Sequence, residues 1–325
     1  MKILVTGVAG FIGFKVAEML LKEGKEVLGV DNLNDYYDVR LKEWRLKKLE
    51  NPNFKFVKMD IENLEEVEKL FKDDQIEAVI NLAARAGVRY SLIDPFVYMR
   101  TNAIGTLNIL EMMKKYGVKK MVLASTSSLY AGQEMPFLET LPVNSPISPY
   151  AASKKSAEMM AYTYHFQYNL DISIVRYFTV YGPAGRPDMV IFKFINKIIE
   201  GRTITVNGDG EQTRDFTYVD DIARGTIAAL KPVGYEVINL GGGLQSYSLN
   251  YLIKKIEEYS GKKAIIEYGE FNKADLKATL ANGNKAKELF DWQPKVNFDD
   301  GLKKCVDWYM ENRDWAADLK CRDEE

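Results

Sequence analysis

The chain has 325 residues with 46% hydrophobic and 28% charged content, which is typical of a globular protein with one large or two modest domains. A formal net charge of −2 excludes a broad basic surface, so we expect neither nucleic acid nor an anionic membrane as a partner. No apolar run approaches the ~20 residues needed to cross a bilayer, and residues 1–5 are too short an apolar start for a signal peptide, so a cytoplasmic location is expected.

Short apolar runs alternate with longer amphipathic stretches through the first half of the chain. Strands are predicted at 3–6, 26–30, 55–59, 78–82, 120–124 and 172–176, and helices at 11–23, 64–73, 95–116 and 149–169. This alternation predicts an α/β protein with a doubly wound parallel sheet of the Rossmann type, which binds ligands at the carboxyl ends of its strands.

The regular alternation of strands and helices ends after residue 181. Helices are predicted at 188–200, 248–260, 283–290 and 299–313, with a strand at 203–206 and another near 236–239 that can return to the main sheet. We therefore predict a cofactor-binding domain over 1–181, with return segments near 214–241. The remainder of 182–325 is predicted to form mainly a smaller C-terminal α/β lobe that binds the substrate.

A glycine loop follows the first predicted strand. Gly7, Gly10 and Gly13 allow a tight turn and close approach of the backbone to a diphosphate, whose charge the helix N-terminus stabilises. Asp31 ends the second predicted strand, where a carboxylate can hold the hydroxyls of an adenosine ribose and would repel a 2′-phosphate. The pattern predicts a bound dinucleotide, NAD rather than NADP.

Further candidate cofactor contacts lie at the ends of predicted strands and beside the loop. They are Phe11, Ile12, Asn32, Asp60, Ile61, Leu82, Ala83, Ala84, Asn102 and Tyr177. Small residues at a strand end let the backbone lie against a flat ring or a ribose. Asn102 is predicted inside helix 95–116, where it could orient groups near Lys154.

Tyr150 and Lys154 lie four residues apart in the predicted helix 149–169, so their side chains share one face. A free phenol has a pKa of about 10, so a tyrosine base near neutral pH must be stabilised as phenolate by about 4 kcal/mol. One cation about 4 Å away supplies this at an effective dielectric constant of about 20. The spacing is common on solvated helices, and it predicts an acid–base pair only together with the glycine loop.

Histidine and cysteine chemistry is not expected. The one histidine, His165, lies in an aromatic helical stretch, and Cys305 and Cys321 lie near the C-terminus without histidines close by. A histidine base, a zinc site and a disulfide framework are therefore improbable, and no metal is predicted. Proton transfer falls to tyrosine, lysine or a carboxylate.

Together these motifs resemble the nucleotide-sugar epimerases and dehydratases of the extended short-chain dehydrogenase/reductase superfamily, over residues 1–309. The hydroxyl run at 125–128 and the Tyr-x-x-x-Lys unit are further marks of that group. Three long stretches, 31–38, 86–91 and 176–189, are similar to those of the UDP-glucuronate 4-epimerases. The resemblance implies an NAD-dependent enzyme that inverts a UDP-sugar at C4.

The resemblance also implies the catalytic group Thr126, Tyr150 and Lys154. Tyr150 would remove the proton of the sugar 4-hydroxyl while a hydride passes from C4 to NAD, and Thr126 would bond the same oxygen. Lys154 would lower the pKa of Tyr150 and hold the nicotinamide ribose. The 4-keto sugar would turn and take the hydride back on its other face, so NAD would stay bound.

The segment around Ser127 and Ser128 favours epimerisation over related reactions. Related dehydratases carry an Asp-Glu pair in this segment, and related UDP-glucuronate decarboxylases carry a glutamate near Ser128. A 4-keto glucuronate is a β-keto acid, which loses carbon dioxide unless its carboxylate is held. Arg186, with Thr179 and the two serine hydroxyls, is predicted to clamp that carboxylate.

The other substrate contacts are implied for the nucleotide. Arg89 and Arg214 are candidates for contact with the substrate, the latter with its diphosphate. Phe192 and Val206 could flank the uracil, and both are equally explained as core residues. Asp275 matches a family residue near the nucleotide ribose, although the glycine that usually precedes it is an alanine here.

The resemblance further implies a homodimer that packs through helices 95–116 and 149–169. Two other functions stay open at this point. A UDP-glucose/UDP-galactose 4-epimerase would use the same machinery on an uncharged C6 group, and a non-catalytic dinucleotide-binding module would use the same fold.

Overall fold

The structure, a computed structural model, describes residues 1–242, 245–270 and 277–320. Within these ranges the strands are β1 (Lys2–Thr6), β2 (Glu26–Asp31), β3 (Phe54–Lys58), β4 (Ala78–Asn81), β5 (Lys120–Thr126), β6 (Asp171–Tyr177), β7 (Thr179–Tyr181), β8 (Thr203–Asn207), β9 (Thr213–Arg214), β10 (Phe216–Tyr218), β11 (Tyr235–Leu240), β12 (Tyr247–Ser248) and β13 (Ile265–Gly269). The helices are α1 (Phe11–Lys22), α2 (Val39–Lys48), α3 (Leu64–Asp73), α4 (Val88–Ile93), α5 (Pro95–Tyr98), α6 (Gly105–Tyr116), α7 (Pro149–Tyr168), α8 (Val190–Ile199), α9 (Val219–Ala228), α10 (Leu249–Ser260), α11 (Asn284–Phe290), α12 (Phe298–Glu311) and α13 (Arg313–Ala316).

Seven parallel strands form the central sheet, in the order β3-β2-β1-β4-β5-β6-β11. Every residue of β4 and β5 is buried, because helices cover both faces, and this explains their near-continuous apolar sequence. The strand order reverses between β1 and β4, which opens a crevice at the carboxyl ends of these two strands. The predicted doubly wound α/β fold is confirmed.

Two apolar clusters hold the helices against the sheet. One cluster joins α3, α6 and α7 to one face, and the other joins α1, α9 and α11 to the opposite face. The α7 helix therefore packs directly behind β5 and β6, which places its N-terminal turn at the carboxyl end of β5.

A smaller lobe lies beyond the carboxyl ends of the strands. Its core is built by α8, α10, α12 and β8, with β13 pairing in parallel to β8. The same core includes Tyr36, Tyr37 and Leu41 from the segment after β2, so this segment links the two parts of the fold. None of the described helices is both long and apolar enough to cross a membrane.

Four of the described helices were not predicted, namely α2, α4, α9 and the short α13. In α2 the buried residues are Leu41, Lys42 and Arg45, so two of its three buried side chains are basic and apolar periodicity does not reveal it. The predicted helix 95–116 contains a π-helical turn at Met99–Ile104, where the backbone hydrogen bonding shifts by one residue.

Candidate active site

A cavity of about 900 Å³ opens between the carboxyl ends of the central strands and the smaller lobe. Most residues predicted for the site line it: Gly7, Gly10, Phe11, Ile12, Gly13, Asp31, Asn32, Asp60, Ile61, Leu82, Ala83, Ala84, Arg89, Thr126, Ser127, Ser128, Tyr150, Lys154, Tyr177, Thr179, Arg186 and Arg214. Residues more than 200 positions apart in the chain thus face one space, which is large enough for a small-molecule ligand.

Two residues expected to flank the uracil do not line this cavity. Val206 is fully buried in the core, because side chains alternate along β8 and its neighbours Thr205 and Asn207 take the cavity face. Phe192 packs against the rings of Trp308 and Tyr309 in the core of the smaller lobe. Of the two interpretations, the structure therefore supports the core role for both residues. Asp275 lies outside the described residues.

Asn102 does not line the cavity either, but it fixes the cavity wall from behind. Its amide nitrogen donates to the carbonyl of Arg85 at 3.0 Å and to the hydroxyl of Ser153 at 2.9 Å. Its amide oxygen accepts from the backbone N–H of Arg85 at 2.8 Å. Asn102 thus ties the loop after β4 to the residue before Lys154, so its geometry is that of a positioning residue.

The glycine loop has the shape that a dinucleotide requires. Gly7 has φ +67°, and a Cβ there would lie 2.8 Å from the backbone nitrogen of Ala83. A Cβ on Gly13 would lie 2.1 Å from the carbonyl oxygen of Gly7. The turn is thereby held close to the end of β4, and α1 begins at Phe11 with its N-terminus toward the cavity.

Asp31 is buried at the end of β2, where a ribose is expected. Its carboxylate accepts from the backbone N–H groups of Leu33 at 2.8 Å and Ala9 at 3.2 Å. The ammonium of Lys42 lies 3.7 Å away and also lines the cavity. Burial lowers the pKa of Lys42 to about 8, against the attraction of Asp31. Sequence reasoning missed Lys42 because it lies in the unpredicted helix α2.

Tyr150 lies beside the hydroxyl run at the end of β5. Burial raises the pKa of its phenol, and the hydrogen bond with Thr126 and the positive charge of Arg186 oppose this rise. The Thr126 hydroxyl accepts from the backbone N–H of Ser128 and donates to its hydroxyl, both at 3.1 Å. Thr126 is therefore held in one orientation next to Tyr150.

Lys154 does not pair with the phenol as the spacing suggested. Its ammonium donates to the carbonyl of Ala124 at 3.1 Å, and its side chain is buried. Burial lowers the pKa of Lys154 to about 8, and the carboxylate of Glu158 opposes this shift. The shared helix face was predicted correctly, but the position of α7 against β5 decides which acceptor the ammonium reaches.

We expect Lys154→Met to stabilise the cofactor-free protein. Because the pKa of Lys154 falls from 10.5 to about 8 on folding, charging it in the folded state costs up to about 3 kcal/mol at neutral pH. The folded state loses this penalty as pH rises from about 8 to 10.5, since only the unfolded chain then holds the proton.

Urea unfolding at pH 7 and pH 10 checks this expectation. The free energy of unfolding of Lys154→Met should exceed that of the unsubstituted protein at pH 7, and the difference should shrink to about 1 kcal/mol or less at pH 10. A difference that does not vary with pH contradicts the assignment of the penalty to Lys154.

A buried ion pair supports the end of β5 from behind. Arg176 donates to both carboxylate oxygens of Glu158 at 2.8 Å, and Ser125 donates to the same carboxylate at 2.7 Å. Ser125 lies between Ala124, which accepts from Lys154, and Thr126. The pair therefore fixes the end of β5, which carries Thr126 and supplies the carbonyl that accepts from Lys154.

Arg186 is held by a carboxylate that sequence reasoning missed. Its Nε and Nη2 donate to Asp188 at 3.0 and 2.6 Å, and Nη2 also donates to the carbonyl of Ala86 at 3.3 Å. Its guanidinium lies 5.6 Å from the ring centroid of Tyr36. Burial disfavours its charge, but Asp188 outweighs this and raises the pKa of Arg186. Among the described residues no hydrogen bond uses Nη1, which is therefore the remaining donor group.

The cavity also contains polar residues that were not predicted. They are Asn34, Tyr36, Tyr37, Lys42, Arg85, Tyr90, Thr101, Asp188, Lys193, Lys197, Thr205, Asn207 and Gln212. The basic members give this space a local positive charge that the net charge of the chain conceals. In the part of the chain that the structure describes, no cluster of histidine, cysteine or acidic residues is arranged to hold a metal ion.

Comparisons with known proteins agree with this geometry. A family model described as the NAD dependent epimerase/dehydratase family matches residues 3–241. A UDP-glucuronate 4-epimerase of Thermodesulfobacterium geofontis is 60% identical over 318 residues, which are 98% of each chain.

Solved structures are similar over nearly the whole chain. The UDP-glucuronic acid 4-epimerase from Bacillus cereus, in complex with UDP-glucuronic acid and NAD, is 39% identical with a TM-score of 0.89, covering 96% of this chain and 100% of that one. The UDP-glucose 4-epimerase from Thermotoga maritima with UDP-glucose is 35% identical with a TM-score of 0.87, at the same coverage. The chain described here belongs to the NAD dependent epimerase/dehydratase family.

Proposed function

We propose that this protein is an NAD-dependent isomerase that interconverts UDP-glucuronate and UDP-galacturonate by inverting C4. The observation that carries the proposal is that Tyr150, Thr126 and Arg186 face one cavity behind a dinucleotide-binding glycine loop. The 60% identity to a UDP-glucuronate 4-epimerase supports the choice of substrate.

The glycine loop, Asp31 and Lys154 fit NAD. Glycines at the loop let the diphosphate meet the N-terminus of α1, and Asp31 lies where the adenosine ribose hydroxyls are held. Lys154 would hold the nicotinamide ribose. When bound, NAD takes a hydride from the sugar C4 and later returns it, which requires no outside oxidant.

Tyr150 and Thr126 handle the proton of the sugar 4-hydroxyl. The phenolate of Tyr150 accepts this proton as the C4–H bond breaks, while Thr126 donates a hydrogen bond to the same oxygen. On the return step Tyr150 gives the proton back to the oxygen, now on the other face of the ring. Since burial raises the pKa of Tyr150, the positive charge of Arg186 helps to stabilise the phenolate.

Arg186 would hold the substrate carboxylate while C4 is a ketone. Asp188 and Ala86 accept from Nε and Nη2, which fixes the direction of the guanidinium at the cavity wall and leaves Nη1 for the substrate carboxylate. Thr179, Ser127 and Ser128 line the same space and add hydroxyl donors. A carboxylate held in this way cannot turn into the geometry that releases carbon dioxide.

In the same proposal, the two parts of the fold bind different ligands. Residues 1–181, with return segments near 214–241 that include β11 beside β6, would bind NAD. The remainder of 182–325 would bind mainly the UDP-sugar, with Arg214 on the diphosphate and Arg89 as a second cationic contact. Thr205 and Asn207, which face the cavity from β8, would take the place expected for Val206 beside the nucleotide.

Incubation of the purified protein with UDP-glucuronate and no added NAD tests the function. NMR resolves the possible products, which are UDP-galacturonate, a UDP-pentose and the free 4-keto sugar nucleotide. We expect UDP-galacturonate as the main product, and slower turnover of UDP-glucose in a parallel reaction. Faster turnover of UDP-glucose would instead support the alternative 4-epimerase, and no turnover of either would support a binding module.

We also propose a homodimer in the cytoplasm. Large apolar side chains are exposed along α4, α5 and the adjoining face of α7, including Ile93 at 76%, Phe96 at 72% and Phe166 at 69%. Exposed apolar side chains on neighbouring helices are typical of an interface, and a second copy of the chain is the partner that family resemblance indicates.

Light scattering on a sizing column checks the dimer. The unsubstituted protein should elute with twice the chain mass of 37.1 kDa, and Phe96→Glu combined with Phe166→Glu should shift it to the monomer mass because two charges would be buried at the interface. Exposed Tyr268→Glu, on β13, is the matched control and should remain dimeric. A monomeric unsubstituted protein contradicts the proposal.

A further inference from the structure

Arg45 connects two neighbouring loops beside the cavity. It lies in α2 and is fully buried. Its Nη1 donates to the carbonyl of Ala9 at 3.0 Å and to the hydroxyl of Tyr37 at 2.7 Å. Its Nη2 donates to the carbonyl of Ala184 at 2.7 Å, with the carbonyl of Gly185 at 3.5 Å. One side chain thus spans the glycine loop and the turn at 184–185.

Arg45 has no carboxylate partner among the described residues, and the rings of Phe11 and Tyr37 lie 6.0 and 5.6 Å from its guanidinium. Its hydrogen-bond acceptors are backbone carbonyls and a phenol, all uncharged, and its Nε has no partner among the described residues. A buried charge without a carboxylate partner is costly, and an apolar side chain of similar volume often serves a fold as well. The guanidinium supplies instead a planar fork whose donors reach two separate backbone segments at once.

The two segments that Arg45 joins both belong to the site. Ala9 lies inside the glycine loop, and its N–H donates to the carboxylate of Asp31. Ala184 has φ +53°, a left-handed conformation that alanine rarely adopts, so its carbonyl needs a fixed partner to hold the turn. Arg186 follows two residues later and points its guanidinium into the cavity. Arg45 therefore fixes the turn before Arg186 relative to the glycine loop.

We propose that Arg45 is a positioning residue, which holds the turn carrying Arg186 against the glycine loop and so sets where the substrate carboxylate lies. The inference rests on the proposed function, because it takes Arg186 as the group that contacts the carboxylate. Without the Arg45 fork, the Arg186 turn would shift relative to the cofactor and the clamp on the 4-keto intermediate would loosen.

The ratio of UDP-pentose to UDP-galacturonate formed from UDP-glucuronate is the decisive measurement. A loosened clamp releases carbon dioxide, and this ratio does not depend on how much of the protein is folded, unlike a rate. In Arg45→Lys the charge is kept but one ammonium replaces the fork. We expect the ratio to rise about tenfold or more, with a higher KM for UDP-glucuronate, because displacement of a clamp by about 1 Å is enough for such changes.

Lys120→Met is the matched control. Lys120 is a buried cation that donates to Asp171 at 2.6 Å and to Ser173 at 2.8 Å. It is the first residue of β5, so it lies at the amino ends of the strands, away from the cavity at their carboxyl ends. This variant should lose stability yet leave the product ratio unchanged. Arg45→Gln is the second test variant, so that one poorly folded protein does not decide the result.

Arg186→Met completes the set and separates the two proposals. If Arg186→Met raises the product ratio while both Arg45 variants match the Lys120→Met control, Arg45 has no positioning role and the proposed function stands. If Arg186→Met also leaves the ratio and the KM unchanged, the carboxylate clamp is wrong and the Arg45 proposal falls with it. A raised ratio in the Arg45 and Arg186 variants, but not in the control, supports both.

Discussion

Tyr150→Phe is expected to lower kcat for epimerisation by about 10³-fold while the protein keeps its bound NAD. The expected loss lies in the usual range of about 10²–10⁴ for a general base. Thr126 lies beside Tyr150, but an aliphatic hydroxyl cannot take a proton near neutral pH, so no other described group at that oxygen replaces the phenol. The KM for UDP-glucuronate should change little, because the substituted hydroxyl binds the reacting oxygen mainly as the proton moves.

Tyr130→Phe is the matched control for this measurement. Tyr130 is a fully buried tyrosine in the turn after β5, and its hydroxyl donates to Asn239 at 2.8 Å rather than lining the cavity. Its substitution tests whether loss of any buried phenol near β5 slows turnover. NMR assays on both variants, with NAD released by heat and quantified, separate loss of the base from loss of the cofactor. Undiminished activity in Tyr150→Phe overturns the mechanism.

The central sheet and the cofactor loop were predictable because they depend on local sequence. Strand and helix alternate with the periods that each structure imposes, and the glycine pattern permits a tight turn between β1 and α1 that side chains would obstruct. The strand near 236–239 was expected to be able to return to the main sheet, and β11 does pair with β6. These features need no knowledge of how distant segments pack.

Features that depend on packing between distant segments were not predictable. The sequence shows that side chains alternate along β8, but it does not show which face of the strand turns to the cavity. For this reason Val206 was predicted instead of its neighbours. The helix α2 buries Lys42 and Arg45, and a buried basic stripe gives no apolar signal. The acceptor of Lys154 is a carbonyl on β5, which the spacing within α7 cannot specify.

The pair of Arg186 and Asp188 shows the same limit at the centre of the site. Arg186 was predicted to clamp the substrate carboxylate, and in the structure its Nε and Nη2 donate to the carboxylate of Asp188, two residues away. That pairing fixes the direction of the guanidinium, and it also brings a negative charge close to the place where the substrate carboxylate would lie. The consequence is testable.

We expect Arg186→Met to change the product as well as the affinity. Loss of a charge-assisted hydrogen bond, worth about 1.5–3 kcal/mol, should raise the KM for UDP-glucuronate by about 10–100-fold and change the KM for UDP-glucose far less. Because the carboxylate of the 4-keto intermediate would no longer be held, the share of UDP-pentose among the products should rise.

The double variant Arg186→Met with Asp188→Asn separates two causes of the weaker binding. In the single variant Asp188 loses its partner and repels the substrate carboxylate, whereas the double variant removes this repulsion but restores no clamp. We therefore expect the double variant to recover part of the affinity for UDP-glucuronate while its share of UDP-pentose stays high. If the affinity recovers and the share of UDP-pentose also falls to its original value, charge balance rather than contact with Arg186 prevents decarboxylation.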